Sequence, residues 1–323
     1  MTERSQGVGI VPVPAPARSR WPIEMNLDRR EAAWGFVFIA PWIFGFIVFS
    51  LLPMAASFLF SLTDFDPRYP DTIHFIGFAN YERMIHDPLV GNALLVTFKF
   101  AALTLPLSLV AALGAALLVN SKRLMAKNVF RTLFYMPYQI PLVASTIIWL
   151  GVLNLHNGWL NFGLGAVGIQ GPDWLNSTTW VYPGLALMGL WGIGNMMLIF
   201  LAGLQGVPTE LYEAARVDGA GTWSQFRNVT LPMISPVLFY NLIIGLIATF
   251  QYFTQAFVLT NGRGDPNNAT LFFNLELYRE GWKYYNMGYA ATLAWLLFVI
   301  VLGITIVLFR SSKLWVYESG SSR

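Results

Sequence analysis

From residue 213 to residue 221 the chain reads EAARVDGAG, and long apolar runs flank it on both sides. Only 11% of the 323 residues are charged, yet Glu210, Glu213, Arg216 and Asp218 crowd into this one connection. Charge concentrated between lipid-compatible stretches marks a segment built to touch something outside the lipid. Pro208 suits a first helical position, where its missing N–H costs nothing, and Thr209 with Glu210 gives a polar, acidic first turn. The pattern predicts a helix running to about Asp218, closed by Gly219 in the left-handed conformation. A second helix is expected to open with a Thr222/Gln225 capping box and to stop before Pro232. Ala214 and Ala215 let the backbone approach a partner closely, and Leu211, Val217, Trp223, Phe226 and Val229 offer apolar anchors. The competing reading packs this amphipathic loop against its own bundle.

Working outward, 55% of the chain is hydrophobic and the mean hydropathy is +0.53, above the range of soluble domains. A membrane-crossing helix needs about 20 mostly apolar residues. Six stretches qualify: 34–60, 92–119, 133–153, 181–204, 236–260 and 286–309. An even number puts both termini on one side. Lys and Arg are retained on the cytoplasmic side. Fourteen of them fall in the two tails and the second and fourth connections, against five opposite, with Lys99 inside a span where it can snorkel outward. Both termini and the Glu213 connection are therefore expected to be cytoplasmic. The expected organisation is all-α and polytopic: a disordered tail at 1–30, a six-helix transmembrane domain at 31–317 with a cytoplasmic loop at 205–235, and a tail at 318–323.

No cysteine is present, which excludes disulfides and thiol chemistry. The formal charge of +3 is accounted for by the inside-positive flanks and calls for no nucleic-acid partner. His74, His86 and His156 stand apart and give no metal-ligand spacing, and Asp64 with Asp66 reads as a solvated turn, not an acid/base pair.

The longer string EAARVDGAGTWSQFRNVTLPMISP (213–236) resembles the signature loop of permease subunits in ATP-binding-cassette importers. The match is carried by Glu213-Ala214-Ala215, Asp218-Gly219-Ala220, Phe226 and Leu231-Pro232; the isolated Glu31-Ala32-Ala33 lacks everything that should follow. FIGFANYERMIHDP (75–88), FRTLFYMPYQIP (130–141), GPDWLNSTTW (171–180) and LIFLAGLQGVPTELYEAARVDGAG (198–221) are similar to the carbohydrate branch with maltose-type permeases. The resemblance runs from about residue 28 to 317. It implies the type I importer permease fold, with the Glu213 helix as a coupling helix docking on a cytoplasmic ATPase dimer. It also implies a second homologous permease, an extracytoplasmic solute-binding protein docking at the loops 64–87 and 261–285, and a sugar as cargo. The C-terminal RSSKLWVYESGSSR lacks the glutamine-containing tail of one permease type and so resembles the other. The resemblance places the chain in the cell membrane of a bacterium or archaeon.

Polar groups within a bundle face a cavity or a partner helix. Asn241, Gly245, Thr249 and Tyr252 recur at three- and four-residue steps and share one face, with Gln251 and Gln255 in a second row. Amide, small and aromatic groups on one stripe suit a sugar; interhelical bonding is the equal alternative. By resemblance, the maltose-type site uses this face together with a tyrosine after the proline opening the third span, here Tyr138. Gly245, Thr249 and Tyr252 depart from the disaccharide site. Trp191 and Asn195 are further candidates for the pathway. The chain has no phosphate-binding G-x-x-x-x-G-K-[ST], so no cofactor is expected on it, and ATP with Mg belongs to a separate ATPase. An ion-coupled secondary transporter would need ionisable residues or broken helices at mid-membrane, which the spans are read as lacking. A membrane enzyme would need a catalytic cluster, and glycerol phosphates or polyols remain alternative cargoes.

Overall fold

The computed structural model describes residues 27–317, with side chains from Arg30 onward. The tails at 1–26 and 318–323 lie outside the described residues, and helix has already begun at Leu27, inside the stretch read as tail. The chain forms two compact units, Met1–Ala55 and Ala56–Arg323. The first holds α1 (Leu27–Phe46), a π-helical turn Ile47–Leu51 and the start of α2 (Leu52–Ser61). Trp42 stacks on Phe46 there at 5.6 Å between ring centroids.

The second unit contains α3 (Ala79–His86), α4 (Pro88–Asn120), α5 (Lys127–Tyr135), α6 (Leu142–Val152), α7 (Trp159–Ala166), α8 (Val181–Trp191) and α9 (Gly194–Gln205). The chain continues through α10 (Thr209–Val217), α11 (Thr222–Gln225), α12 (Leu231–Met233), α13 (Ser235–Phe250), α14 (Thr254–Thr260), α15 (Phe273–Tyr278) and α16 (Met287–Trp315). No strand occurs among the described residues, only an isolated bridge between Thr63 and Phe75.

α4 is the central pillar. Asp87 caps it, accepting from the Leu89 N–H at 2.9 Å, and Pro88 fills its first position. Ala93, Val96, Thr97, Phe100, Thr104, Leu105, Ala112, Ala115, Ala116 and Val119 are buried, a stripe at three- and four-residue steps, while Lys99 sits exposed on the other side. One end of this stripe joins a core with Leu185, Phe250, Phe272, Tyr289 and Leu293. The other end joins Met197, Phe200, Leu204 and Ile234. Lipid is as apolar as these side chains, so close packing and hydrogen bonds, more than water exclusion, hold the helices together. One such bond fixes α15: Thr97 Oγ1 accepts from the Phe273 N–H at 3.0 Å and donates to Ala93 O at 2.8 Å.

Among the described residues, four helices are long and apolar enough to cross a membrane: Arg30–Ser61, Pro88–Asn120, Ser235–Thr260 and Met287–Trp315. The third and fourth expected spans are instead bent pairs, Lys127–Gln139 with Leu142–Val152 at 100° and Val181–Trp191 with Gly194–Gln205 at 54°. Counting each pair as one span gives the six read from the sequence. The first bend follows from Pro137 and Pro141: Ile140 is extended (ψ 130°), as a residue before proline must be, and the helix restarts after it. The second falls at Trp191-Gly192-Ile193-Gly194, and the fifth span turns at Gln251–Phe253. The expectation of unbroken spans is thus corrected.

The ends farthest from the Glu213 connection are tied by a polar network. Arg83 pairs with Glu280 at 3.2 Å and its guanidinium lies 3.7 Å from the Tyr289 ring centroid. Tyr289 donates to Asp87 at 2.9 Å, and Asn286 donates to Glu280 at 2.7 Å. Glu276, outside the spans, is buried and lies 3.2 Å from Arg279, but neither of its carboxylate oxygens receives a hydrogen bond. Burial pushes its pKa up; Arg279 opposes this, while Glu280 and Asp87 add to it. A carboxyl with a raised folded pKa is favoured when protonated, so its contribution is fullest below the ordinary value of 4.5 and falls as pH rises through the raised one. Glu276→Gln is expected to flatten the pH dependence of thermal unfolding across that window; an unchanged slope would refute this.

Candidate functional site

The Glu213 connection is built as a closed helical elbow. α10 begins after Pro208, which is its N-cap and not its first helical residue, and ends at Val217. Gly219 adopts φ +78°, Ala220 N–H bonds Ala215 O at 2.8 Å, and Gly219 N–H bonds Arg216 O at 3.1 Å. Together these form a Schellman closure, in which a left-handed glycine satisfies the last carbonyls. The expected capping box does not form: Gly221 is the N-cap of α11, and Gln225 donates instead to Ala220 O at 2.7 Å. Nor does the second helix stop before Pro232. A π-helical turn over Phe226–Thr230 shifts the hydrogen-bond register and carries the chain through Leu231 and Pro232, where the missing N–H falls in a first turn. Tyr212 and Thr230 hydroxyls meet at 2.9 Å and brace the elbow.

Its two faces divide the expected anchors. Val229 packs on the core and Phe226 is half-buried, while Leu211, Val217 (88% exposed) and Trp223 (72%) face outward. Glu213, Ala214 and Asp218 are exposed, Ala215 and Ala220 half-buried, and Glu213 makes no hydrogen bond or ion pair among the described residues. The elbow therefore presents an acidic helix rimmed by exposed apolar side chains and closed on itself at Gly219.

Of the pathway candidates, Tyr138, Trp191, Asn195 and Tyr252 lie at or beside breaks in the spans, and Asn241, Gly245 and Thr249 lie within α13. Gly194 starts α9 directly against α5: a Cβ there would sit 2.7 Å from Tyr135 Cα and 2.9 Å from the Phe134 carbonyl carbon. The turn Met136–Gln139, which carries Tyr138, packs on α9, so Tyr138 and Asn195 belong to touching elements. Tyr138 is exposed, its ring 5.8 Å from Tyr135, and Asn195 is half-buried. Gly245 of α13 faces Leu105 and Met196, one residue from Asn195. Trp191 packs edge-on against Trp149 at 5.9 Å, which favours its packing role.

Asn241, Gly245 and Thr249 follow one another at four-residue steps along α13, whereas Tyr252, expected on the same face, lies in the break that follows the helix. Thr249 Oγ1 bonds back to Gly245 O at 2.7 Å. Tyr252 lies between Phe100 and Phe272, each 4.7 Å away, and Phe253 meets Tyr278 at 5.1 Å. Both rings pack on one core, and the helix breaks between Phe250 and Thr254. Asn241 is buried, with its amide nitrogen unbonded. Gln251 is exposed. Gly194 and the Arg83–Glu280 pair were missed from sequence; the Gly-x-Gly at 192–194 was the available signal for the first, and nothing local marked the second.

Residues 104–313 match the family described as binding-protein-dependent transport system inner membrane component. The chain belongs to that family. Relatives include the probable ABC transporter permease protein YesP of Bacillus subtilis strain 168, 38% identical over 301 residues, covering 90% of this chain and 94% of that one. The trehalose/maltose transport system permease protein MalF of Thermococcus litoralis is 32% identical, covering 89% of this chain and 96% of the relative. In fold, the chain is similar to one in a bacterial alginate ABC transporter solved with an alginate pentasaccharide-bound periplasmic protein. The TM-score is 0.76 at 22% identity, covering 88% of this chain and 96% of the other.

Proposed function

We propose that this chain is a transmembrane permease subunit of an ATP-driven, binding-protein-dependent sugar importer, forming half of a pathway that works by alternating access. The observation that carries the reading is the elbow at 209–233: a rigid, exposed, acidic helix projecting between the fourth and fifth spans. Relatives named for trehalose and maltose and for arabinooligosaccharides support a sugar cargo. In this reading the ATPase dimer, with ATP and Mg, is separate and cytoplasmic. Its closure moves the Glu213 helix, and because α9 leads straight into that elbow, the motion reaches the breaks at Gly194 and Tyr138. A second homologous permease completes the pathway, and the binding protein docks on the opposite side at 64–87 and 261–285. Both termini are cytoplasmic, and this chain carries out no covalent chemistry.

Co-purification of the tagged chain in mild detergent is expected to recover one ATPase and a second permease in stoichiometric amounts; a chain recovered alone under every nucleotide condition would refute the assembly. Tyr138→Ala and Tyr252→Ala are each expected to lower solute-driven uptake more than basal ATP hydrolysis, by roughly tenfold for one lost ring contact. Unchanged uptake kinetics in both would assign these rings to packing alone.

A further inference from the structure

The connection between α6 and α8, at the far end of the fourth span from the Glu213 elbow, holds a cavity of about 800 Å³. Its lining includes His156, Asn157, Trp159, Asn161, Phe162 and Gln170, none of which the pathway above uses. The floor is stapled in place. Asn161 donates to Leu155 O at 3.0 Å and Pro172 O at 3.2 Å and accepts from Trp174 Nε1 at 2.7 Å. Asn154 Oδ1 accepts the backbone N–H groups of His156 and Asn157, both at 3.0 Å. Gly171 leaves just enough room for Asn161, since a Cβ there would lie 2.4 Å from its Cγ.

The rim, by contrast, is free. Trp159 (79% exposed) and Phe162 (82%) stand three residues apart on α7, a spacing that puts both rings on one helix face. The side chains of His156, Asn157 and Gln170 make no hydrogen bond among the described residues. Flat aromatic faces beside unspent amide groups, over a fixed floor and in a cavity of ligand-binding size, match one ligand chemistry closely. The C–H faces of a pyranose rest on the electron-rich ring faces, and its hydroxyls take the amide donors and acceptors.

We propose that this connection is a second carbohydrate site, an outer platform that takes an oligosaccharide before it reaches the pathway between the broken spans. The proposal rests on the sugar-importer reading. Trp159 and Phe162 supply the platform, Asn157 and Gln170 the polar contacts, and Asn161 positions the floor without touching the sugar.

The test probes the purified complex in lipid nanodiscs for retention of an array of neutral and uronate oligosaccharides, and the same complex in proteoliposomes for their uptake. At least one oligosaccharide should be retained, and Trp159→Ala or Phe162→Ala should weaken its retention and raise its uptake KM about tenfold with kcat little changed, the scale of one ring contact. Trp159→Phe should restore most of both. Retention of no oligosaccharide by the wild-type complex, or retention and KM unmoved by both ring deletions, overturns the site. If sugar-driven uptake persists at unchanged KM, the importer reading stands while the platform falls; if no sugar drives uptake by the wild type, both fall. Loss of binding-protein stimulation with sugar retention intact would assign the rings to a protein contact and overturn the proposal.

Discussion

Glu213→Lys is expected to reduce ATP-driven uptake by at least about twenty-fivefold while the chain inserts and accumulates as the wild type does. Glu213 is exposed on α10 and has no partner among the described residues, so its replacement costs the fold no more than about 0.5 kcal/mol. The effect on a docked partner is of another order. Reversing a charge that is hydrogen-bonded across an interface costs roughly 2–5 kcal/mol, because the partner's groups are left facing a like charge. At 1.4 kcal/mol per tenfold, even the lower figure gives the stated loss. Uptake into proteoliposomes, normalised to inserted protein, is the measurement. Wild-type uptake by a normally inserted variant would remove Glu213 from the coupling role. Gly219→Ala is a useful companion, because the left-handed conformation at φ +78° costs a side-chain residue about 1 kcal/mol and alters the closure, not the charge. A defect in Glu213→Lys far larger than in Gly219→Ala would attribute coupling to the contact and not to the shape of the elbow.

Much of this architecture is legible in the sequence, and its failures have physical causes. The spans are found because lipid forbids charge over about 20 residues, a rule that acts on composition. The helix to Val217 and its closure at Gly219 are found because they depend on local backbone chemistry alone. The same rules are blind to direction. Hydropathy sees 133–153 as one span, although Pro137 and Pro141 turn it by 100°. The turn at 251–253 carries no proline or glycine, and its rings pack on Phe100, Phe272 and Tyr278 of other elements, contacts that local sequence does not show. Arg83 and Glu280 stand 197 residues apart and each reads alone as a loop charge. The spacing keeps Asn241, Gly245 and Thr249 on one face of α13 but not Tyr252, which falls in the break, and only the fold shows that Gly245 faces Leu105 and Met196. The case against a solitary ion-coupled transporter accordingly loses its argument from unbroken helices and rests on the scarcity of ionisable groups in the spans and on the family.

Two glycines on touching elements should respond very differently to the same added methyl, and the contrast tests whether the broken spans act as one unit. At Gly245 a Cβ would come 2.6 Å from Leu105 Cδ1, the tip of a flexible side chain, and 3.6 Å from Met196 Cε. A rotation of Leu105 relieves that contact, so Gly245→Ala should cost less than about 1.5 kcal/mol. At Gly194 the Cβ would meet Tyr135 Cα at 2.7 Å and the Phe134 carbonyl carbon at 2.9 Å, and backbone cannot rotate away. The end of α5 must instead withdraw from α9, taking with it the turn Met136–Gln139 that carries Tyr138. Gly194→Ala is therefore expected to cost about 3 kcal/mol or more, at the upper end of overpacking, and to depress uptake more than its loss of stability explains. Thermal unfolding of the two variants in the same detergent, beside uptake at equal inserted protein, separates the outcomes. Equal stability and equal uptake would mean that α5 yields freely at Gly194, and the Tyr138 turn would then be mechanically independent of the helix that leads into the elbow. A large deficit confined to Gly194→Ala is the expected result, because only there does the added atom push one half-span against the backbone of another.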